Sequence, residues 1–245
     1  YFVMLNQNPS VSKTTSNPKI GAALRSAIDY QGVAALFGTN ADPAAGLVPP
    51  AFAGALPKSD ASTQNLAKAK DLVAESGIDS PTIKFVYPSI TYRGVDLGTI
   101  ATKVAGDAKK AGITLKLTPQ PLTTFLNSER DGKAEMVFTP QSLNYPVAAS
   151  MVNNMAPGKS TALRAGWTTA RANPRAIAAG KQVTAATDSE ARAQAMQHWQ
   201  QMMKRYSPFI TLAYNSGVVV ATSKLRGATY SPAGWLVDIA SVGRA

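Results

Sequence analysis

Between Thr82 and Thr118 the apolar pattern of the chain changes period twice. Residues 82–87 alternate, with Ile83, Phe85 and Tyr87 on one face, as a half-buried strand does. Residues 96–111 then read as a helix ending in Lys109, Lys110 and Gly112, cations and a glycine where a helix dipole and C-terminal cap favour them. Residues 113–118 alternate again, with Ile113, Leu115 and Leu117 in phase. Strands that alternate with helices define an α/β class with a mixed sheet flanked by helices.

The rest of the chain repeats the alternation. Residues 1–6 read as a buried strand, and Asn17-Pro18 opens a helix with Asn as cap and Pro at the first helical position. Ile20, Ala23, Leu24, Ala27 and Ile28 form its apolar stripe. Asp29 caps a second short helix, and residues 39–60, rich in Pro, Gly and Ala, read as a long ordered loop. A helix is predicted over 63–76, another over 121–131, and a strand over 135–139 that is too uniformly apolar to be half exposed. Residues 141–167 read as loop with one short helical piece. Helices over 173–186 and 189–206 follow, the second with Ala195, Trp199, Met202 and Tyr206 as its stripe. Strands over 209–214 and 217–222 end the dense part, and the last of these is expected beside residues 1–6. No internal repeat is evident.

Composition narrows the function. Hydrophobic residues are 45% of the 245, enough for a sizeable core. No apolar run approaches the roughly 20 residues of a membrane span. The chain begins at Tyr1 without Met, which reads as processing or excision from something longer. Cysteine is absent, which removes disulfides and thiolate metal sites. The net charge is +11, yet Lys and Arg never run longer than two and no aromatic residues interleave with them. That distribution fits a solvated basic surface and no nucleic-acid partner.

Several segments, in order, resemble the oligopeptide/dipeptide/nickel-binding family of extracellular solute-binding proteins (family 5). Phe2-Val-Met-Leu-Asn6 resembles its strand crossing between lobes, and Pro18 to Asp29 its following helix. Ala44 to Pro50 resembles the next loop. Ala105 to Leu117 resembles a helix-to-strand joint, Asn144-Tyr145-Pro146 the ligand loop, and Asn173-Pro174 the opening of the last helix pair. The resemblance implies a periplasmic-binding-protein-like lobe, the second of two. Residues 1–8 and 213–225 would be the crossover strands, 9–212 the lobe body, and 226–245 a tail belonging to the other lobe. It further implies extracytoplasmic capture of a peptide-like solute by hinge closure for an ABC importer. The partners would be a membrane permease and the N-terminal lobe, with no cofactor and no enzymatic activity. The location would be periplasmic, or anchored as a lipoprotein to the outer face of the membrane. Some members of the family bind oligosaccharides, metal chelates or opines instead.

Two departures bear on the ligand. The family often carries an acid that pairs with a peptide's terminal ammonium, and here that position is Asn144, with Val147-Ala148 where a second acid would stand. An amide lacks the charge-assisted strength of a carboxylate. Pro140-Gln141 stands where the family has glycine-tryptophan, and Arg175 follows Pro174 where acids are usual.

Asn144 and Tyr145 lie past the carboxyl end of a strand, where open α/β sheets bind ligands, with Gln141 on the same loop. Trp167 either stacks on a ligand or anchors its loop on the core. Tyr92 and Arg93 follow strand 82–87 at a similar sheet end, where an Arg can hold a carboxylate in a fork. A rival enzymatic reading rests on Ser10-Val-Ser-Lys13 and Ser142-Leu-Asn144, which fit motifs of penicillin-interacting serine acyl-transferases. Ser10 sits in a polar loop, however, and no Lys-Thr-Gly strand is present. His198, the single histidine, lies at a helix edge and gives neither a catalytic base pair nor a metal cluster.

Overall fold

A computed structural model of the chain describes residues 1–140, 147–215, 219–230 and 237–244. The chain enters through β1 (Phe2–Leu5) and crosses a polar loop to α1 (Pro18–Ala27). Asn17 caps α1 by accepting from the Lys19 N–H, and Asp29 caps α2 (Tyr30–Ala35) by accepting from Gly32. The expected loop over 39–60 contains a short strand, β2 (Ala41–Pro43). α3 (Leu66–Ala74) starts later than its periodicity suggests, because Asn65 supplies the cap.

β3 (Thr82–Pro88) leads to a small hairpin of β4 (Thr91–Tyr92) and β5 (Val95–Asp96). Then come α4 (Leu97–Lys110), β6 (Thr114–Gln120), α5 (Leu122–Arg130) and β7 (Met136–Thr139). Where one helical piece was expected before Trp167 there are two, α6 (Ser150–Met155) and α7 (Ser160–Arg164). α8 (Pro174–Ala185) and α9 (Ser189–Tyr206) follow as expected, capped by Asn173 and Asp188. The buried stripe of α9 is Met196, Trp199, Gln200 and Met203; Ala195, Met202 and Tyr206 lie half-buried beside it. The stripe is rotated because polar Gln200 is taken inward by hydrogen bonds to a packed loop.

The chain closes through β8 (Phe209–Thr211), β9 (Ala213–Asn215) and a small outlying pair, β10 (Leu225–Arg226) with β11 (Gly243–Arg244). One strand over 209–214 was expected. Instead Leu212 breaks it, and β8 pairs with β1 while β9 turns away to pair with β2. The place expected for 217–222 beside β1 is therefore taken by β8. Residues 219–222 carry no strand, and 217 and 218 lie outside the described residues.

The main sheet has the order β6-β3-β7-β1-β8. β3 runs parallel to β6 and β7, and β1 is antiparallel to both its neighbours. Alternation along the central strands divides the core between two faces. Val3 and Leu5 face one cluster with α1, α2 and α4, and Phe2 and Met4 face another with α5 to α9. This explains the uniform hydrophobicity of β1 and β7, which are covered on both sides as inner strands of an α/β sheet must be. Edge strand β6 is instead largely open, with Leu115 buried but Lys116 and, against the expected phase, Leu117 exposed.

Candidate functional site

The carboxyl ends of β3, β7 and β8 and the amino end of β1 meet at one edge of the sheet. Tyr92 and Arg93 follow β3, Pro140 follows β7, and Thr211 ends β8 beside Phe2. A cavity of about 560 Å³ opens there. Its floor is Tyr1, Phe2 and Thr211, one wall is the Gly46–Phe52 stretch with Met151 and Met155, and the other is Tyr92, Arg93 and Tyr230. That volume suits a small organic ligand, and the sheet edge is where α/β folds place one.

The wall from Gly46 to Phe52 has no regular structure, so side chains from elsewhere hold it. The Tyr214 hydroxyl accepts from the Gly46 N–H at 3.0 Å and reaches the carbonyls of Gly46 at 2.6 Å and Val48 at 3.0 Å. Burial keeps this phenol well above its ordinary pKa, so it stays a neutral donor and acceptor. Gln200, fully buried, accepts from the Val48 N–H at 2.9 Å and donates to Gly54 at 2.6 Å.

The opposite wall is built by the β4–β5 hairpin. Arg93 (φ 51°) and Gly94 (φ 81°) are its two turn residues, both left-handed, as a tight two-residue hairpin turn requires. Glycine takes that conformation freely, whereas arginine resists it by roughly 1–2 kcal/mol. The turn places the Arg93 guanidinium over the Tyr92 ring at 5.3 Å and within 3.0 Å of the Tyr230 hydroxyl, to which it donates.

Tyr1 joins the two walls. Its ring lies 4.2 Å from that of Phe37 and edge-on to Tyr92 at 6.2 Å. Its hydroxyl is buried without a hydrogen bond of normal geometry, although the Asn215 amide lies near enough to favour the phenolate. Burial, and then Tyr92, push this phenol up to about 12 against the pull of Arg93. Arg93 and Asp42 are the charged residues among the described lining, and Asp42 also pairs with Lys58 at 2.7 Å. The arrangement offers a mostly aromatic and apolar box, a neutral phenol donor and a cationic fork. Among its described lining residues no nucleophile has a base beside it. Among the described residues no group of His, Cys, Asp or Glu could hold a metal ion, and no helix is long and apolar enough to cross a membrane.

Of the residues singled out in the sequence, the fold brings Tyr92 and Arg93 to this cavity. Gln141, Asn144 and Tyr145 lie outside the described residues, though Pro140, immediately before them, lines the cavity. Trp167 does not line it. The ring is 1% exposed, edge-on to Phe209 at 6.1 Å in the core under α6 to α9, so it anchors its loop. Sequence reasoning missed Tyr1, Asp42, Phe52, Tyr214 and Tyr230. Tyr1 and Tyr214 pass for strand residues, and the others sit in segments without periodicity. Arg93-Gly94 between short polar-apolar pairs is the one local signal for the hairpin, weaker than the Asn-Gly usual there.

The family model for bacterial extracellular solute-binding proteins, family 5 Middle, matches residues 1–162, and the chain belongs to that family. No curated protein sequence matches the chain significantly. Among solved structures it is similar to HbpA2 from Haemophilus parasuis, at 20% identity and TM-score 0.80, covering 100% of this chain and 48% of that one. It is similar also to the murein tripeptide binding protein MppA of Escherichia coli (17% identity, TM-score 0.80, 99% and 47% covered). A third is a dipeptide binding protein from Pseudoalteromonas sp. SM9913 in complex with Met-Leu (19%, 0.79, 100% and 48%). At these identities the likeness establishes the periplasmic-binding-protein fold. The chain spans about half the length of these structures.

Proposed function

We propose that this chain is one lobe of a two-lobed extracytoplasmic capture protein that delivers peptide-like solutes to an ABC permease. The solute settles in the sheet-edge cavity, and a second lobe closes over it by a hinge. Closure is selected by ligand contacts made only when both walls are engaged. Residues 1–8 and 213–225 are the two passages between lobes, a reading supported by the hydrogen bond that the Tyr1 nitrogen donates to the Ala213 carbonyl at 3.0 Å. No covalent chemistry is involved.

Arg93 carries the reading. Its turn holds a cation at the rim of an aromatic box, in a backbone conformation that arginine adopts only at a cost. Its guanidinium is the fork that receives a solute carboxylate, while Tyr92, Phe2, Met151 and Met155 take up the adjacent apolar group. That the proteins resembling this one include a tripeptide and a dipeptide binder supports peptides as the class.

The test is titration of the full-length protein and its Arg93→Asn variant with matched peptides carrying free or amidated carboxyl ends. Asparagine tolerates the left-handed turn, so the hairpin survives. Binding of free-acid peptides should fall about tenfold to a hundredfold, the scale of one charge-assisted hydrogen bond, and binding of the amides should change little. Equal losses for both series would remove Arg93 from the ligand.

A further inference from the structure

Charge is divided unevenly between the two faces of the sheet. From Met136 to Thr187 the chain carries no Asp or Glu, while Lys159, Arg164, Arg171, Arg175 and Lys181 all fall there. These cations belong to α7, α8 and the turns around them, on the face opposite α1, α2 and α4. On the α1–α4 side lysines meet acids. Lys19 pairs with Glu75, Lys103 with Asp29 and Asp107, and Lys110 with Asp107. On the other face Arg164 pairs with Glu129, but among the described residues Lys159, Arg171, Arg175, Lys181 and Arg205 meet no carboxylate.

Most of these unpaired cations gather at the end of the sheet away from the cavity. Arg171 donates to the Gly166 carbonyl at 3.2 Å and to Asn8 Oδ1 at 3.4 Å, just past the carboxyl end of β1, whose amino end faces the cavity. Arg175, in the first turn of α8, donates to the Tyr206 hydroxyl at 3.3 Å. The Arg205 guanidinium stands 5.4 Å from the centre of the same ring, where α9 leads into the amino end of β8. Lys159 follows Gly158, whose N–H donates to the Trp167 carbonyl in the loop that carries Arg171. The partners of the arginines are neutral, so they aim the guanidiniums without compensating them. Two guanidiniums on one phenol repel each other, and an anion between them relieves that. Asp188 and Glu190, the acids nearest in sequence, lie at the other end of the α8–α9 pair, beside Arg192.

An apolar residue shares this pole. Leu163 is 50% exposed and follows Lys159 by four residues, so the two lie on one side of α7, beside the Gly132 turn that precedes β7. A soluble polyanion offers such a side chain nothing. A bilayer accepts it at the boundary between headgroups and acyl chains while the cations stay among the phosphates. We propose that this pole is a docking surface for an anionic phospholipid bilayer, with Lys159, Arg171, Arg175 and Arg205 on lipid phosphates and Leu163 between the headgroups. Guanidinium forks suit phosphate oxygens. Docked in this way, the chain keeps its cavity turned from the lipid and open to solute. The proposal does not depend on what the cavity binds.

The test is co-sedimentation of the full-length, unacylated protein with vesicles of phosphatidylcholine, alone or mixed with phosphatidylglycerol. Binding is expected to the mixed vesicles in low salt, and is expected to vanish in high salt and with phosphatidylcholine alone. Each cation near a charged bilayer contributes about fivefold to partitioning. Arg175→Gln combined with Arg205→Gln should therefore weaken binding by about tenfold or more. Lys68→Gln combined with Lys70→Gln removes the same charge from exposed positions of α3, on the other face, and should change binding far less. Lys159→Gln combined with Arg171→Gln repeats the loss from the loop side if the first pair does not fold. Leu163→Gln should weaken vesicle binding severalfold and leave retention on soluble polyphosphate unchanged. Absence of wild-type binding to mixed vesicles in low salt would overturn the proposal. Equal losses from the two faces would do the same, because net charge alone would then account for binding. Vesicle binding indifferent to Leu163→Gln would make the pole a site for soluble polyanions, and the bilayer would be the wrong partner.

Discussion

Each face of the sheet buries a carboxylate, and the two are treated differently. On the face covered by α1, α2 and α4, Asp107 is 1% exposed. It meets Lys103 at 2.6 Å, Lys110 at 3.0 Å and the Asp29 backbone N–H at 3.1 Å. Lys103 also reaches the Asp29 carboxylate at 3.0 Å. Burial alone would lower the Lys103 pKa, but its hydrogen bonds to Asp107 and Asp29 outweigh that and raise it. The Asp29 carboxyl is held below its usual value, first by the Gly32 N–H and then by Lys103. On the other face Glu129 pairs with the Arg164 guanidinium at 3.5 Å, and Arg130 adds only a weaker pull. Burial there exceeds what Arg164 returns, and the Glu129 pKa rises. A carboxylate taken out of water stays comfortably charged only when several donors replace its solvation.

The helices show part of the same contrast. α1, α2 and α4 are each capped by a side chain, Asn17, Asp29 and Asp96. On the other face α8 and α9 are capped likewise by Asn173 and Asp188, but α5, α6 and α7 have no side-chain cap. The second face leans on bulk packing, above all on Trp167 and Trp199, each buried to within 1%. Trp199→Ala should be the most damaging single change, destabilising by about 3–5 kcal/mol as large-to-small core substitutions do. Urea unfolding measures it. Trp199→Phe should cost much less, because the indole Nε1 is buried without a hydrogen-bond partner and phenylalanine has no N–H to leave unsatisfied. Similar losses for the two variants would mean that the nitrogen is satisfied and the face is not held by bulk alone.

The charged face gives the second expectation. Asp107→Asn keeps the shape but removes the charge that Lys103 and Lys110 share. Both lysines are partly exposed and can turn to water, so the expected loss is moderate, about 1.5–3 kcal/mol, the range of a charge-assisted hydrogen bond. It should be additive with Trp199→Phe, whose contacts lie across the sheet. Strong non-additivity in a double-mutant cycle would show that the faces are coupled through the central strands.

The same split explains what was legible. The first face was readable because its elements carry local signals. Asn17-Pro18, Asp29 and Lys109 to Gly112 mark helix ends, and Ile83, Phe85 and Tyr87 keep phase along β3. On the second face the α9 stripe was misplaced because Gln200, a polar residue, is its centre. Its burial depends on Val48 and Gly54, some 150 residues away, and no local pattern encodes that. Leu212 breaks the last strand for a similar reason. Its N–H donates to Tyr1 at 2.8 Å while its carbonyl accepts from Ala44 at 3.1 Å, so two distant segments pull the chain apart there. The candidate site inherits the difficulty. Tyr92 and Arg93 were found from their place after a strand, but Tyr1, Asp42, Tyr214 and Tyr230 are gathered only by the tertiary fold.

The smallest effect tests the comparison most closely. Glu129→Gln removes a charge that burial already disfavours, along with its one contact to Arg164, itself partly exposed. The sign follows from linkage. A carboxyl whose folded pKa lies above its unfolded value binds protons more tightly when folded. Its ionised form therefore subtracts from stability at neutral pH, and that penalty fades as pH falls through the folded value toward the ordinary 4.5. Asp29 behaves oppositely. Its depressed pKa contributes stability that is fully present above 3.8 and is lost as pH falls through the folded value. Glutamine at 129 should accordingly leave stability at neutral pH unchanged or raise it by about 0.5 kcal/mol, because it removes a charge that burial penalises while the Arg164 left behind is exposed enough to turn to water. The gain should shrink toward zero near pH about 4, where the wild-type carboxyl is protonated in both states. Thermal unfolding of wild type and variant at the two pH values checks it. A clear loss at neutral pH would mean that Arg164 compensates Glu129 as fully as two lysines compensate Asp107, and the two faces would then not differ in kind.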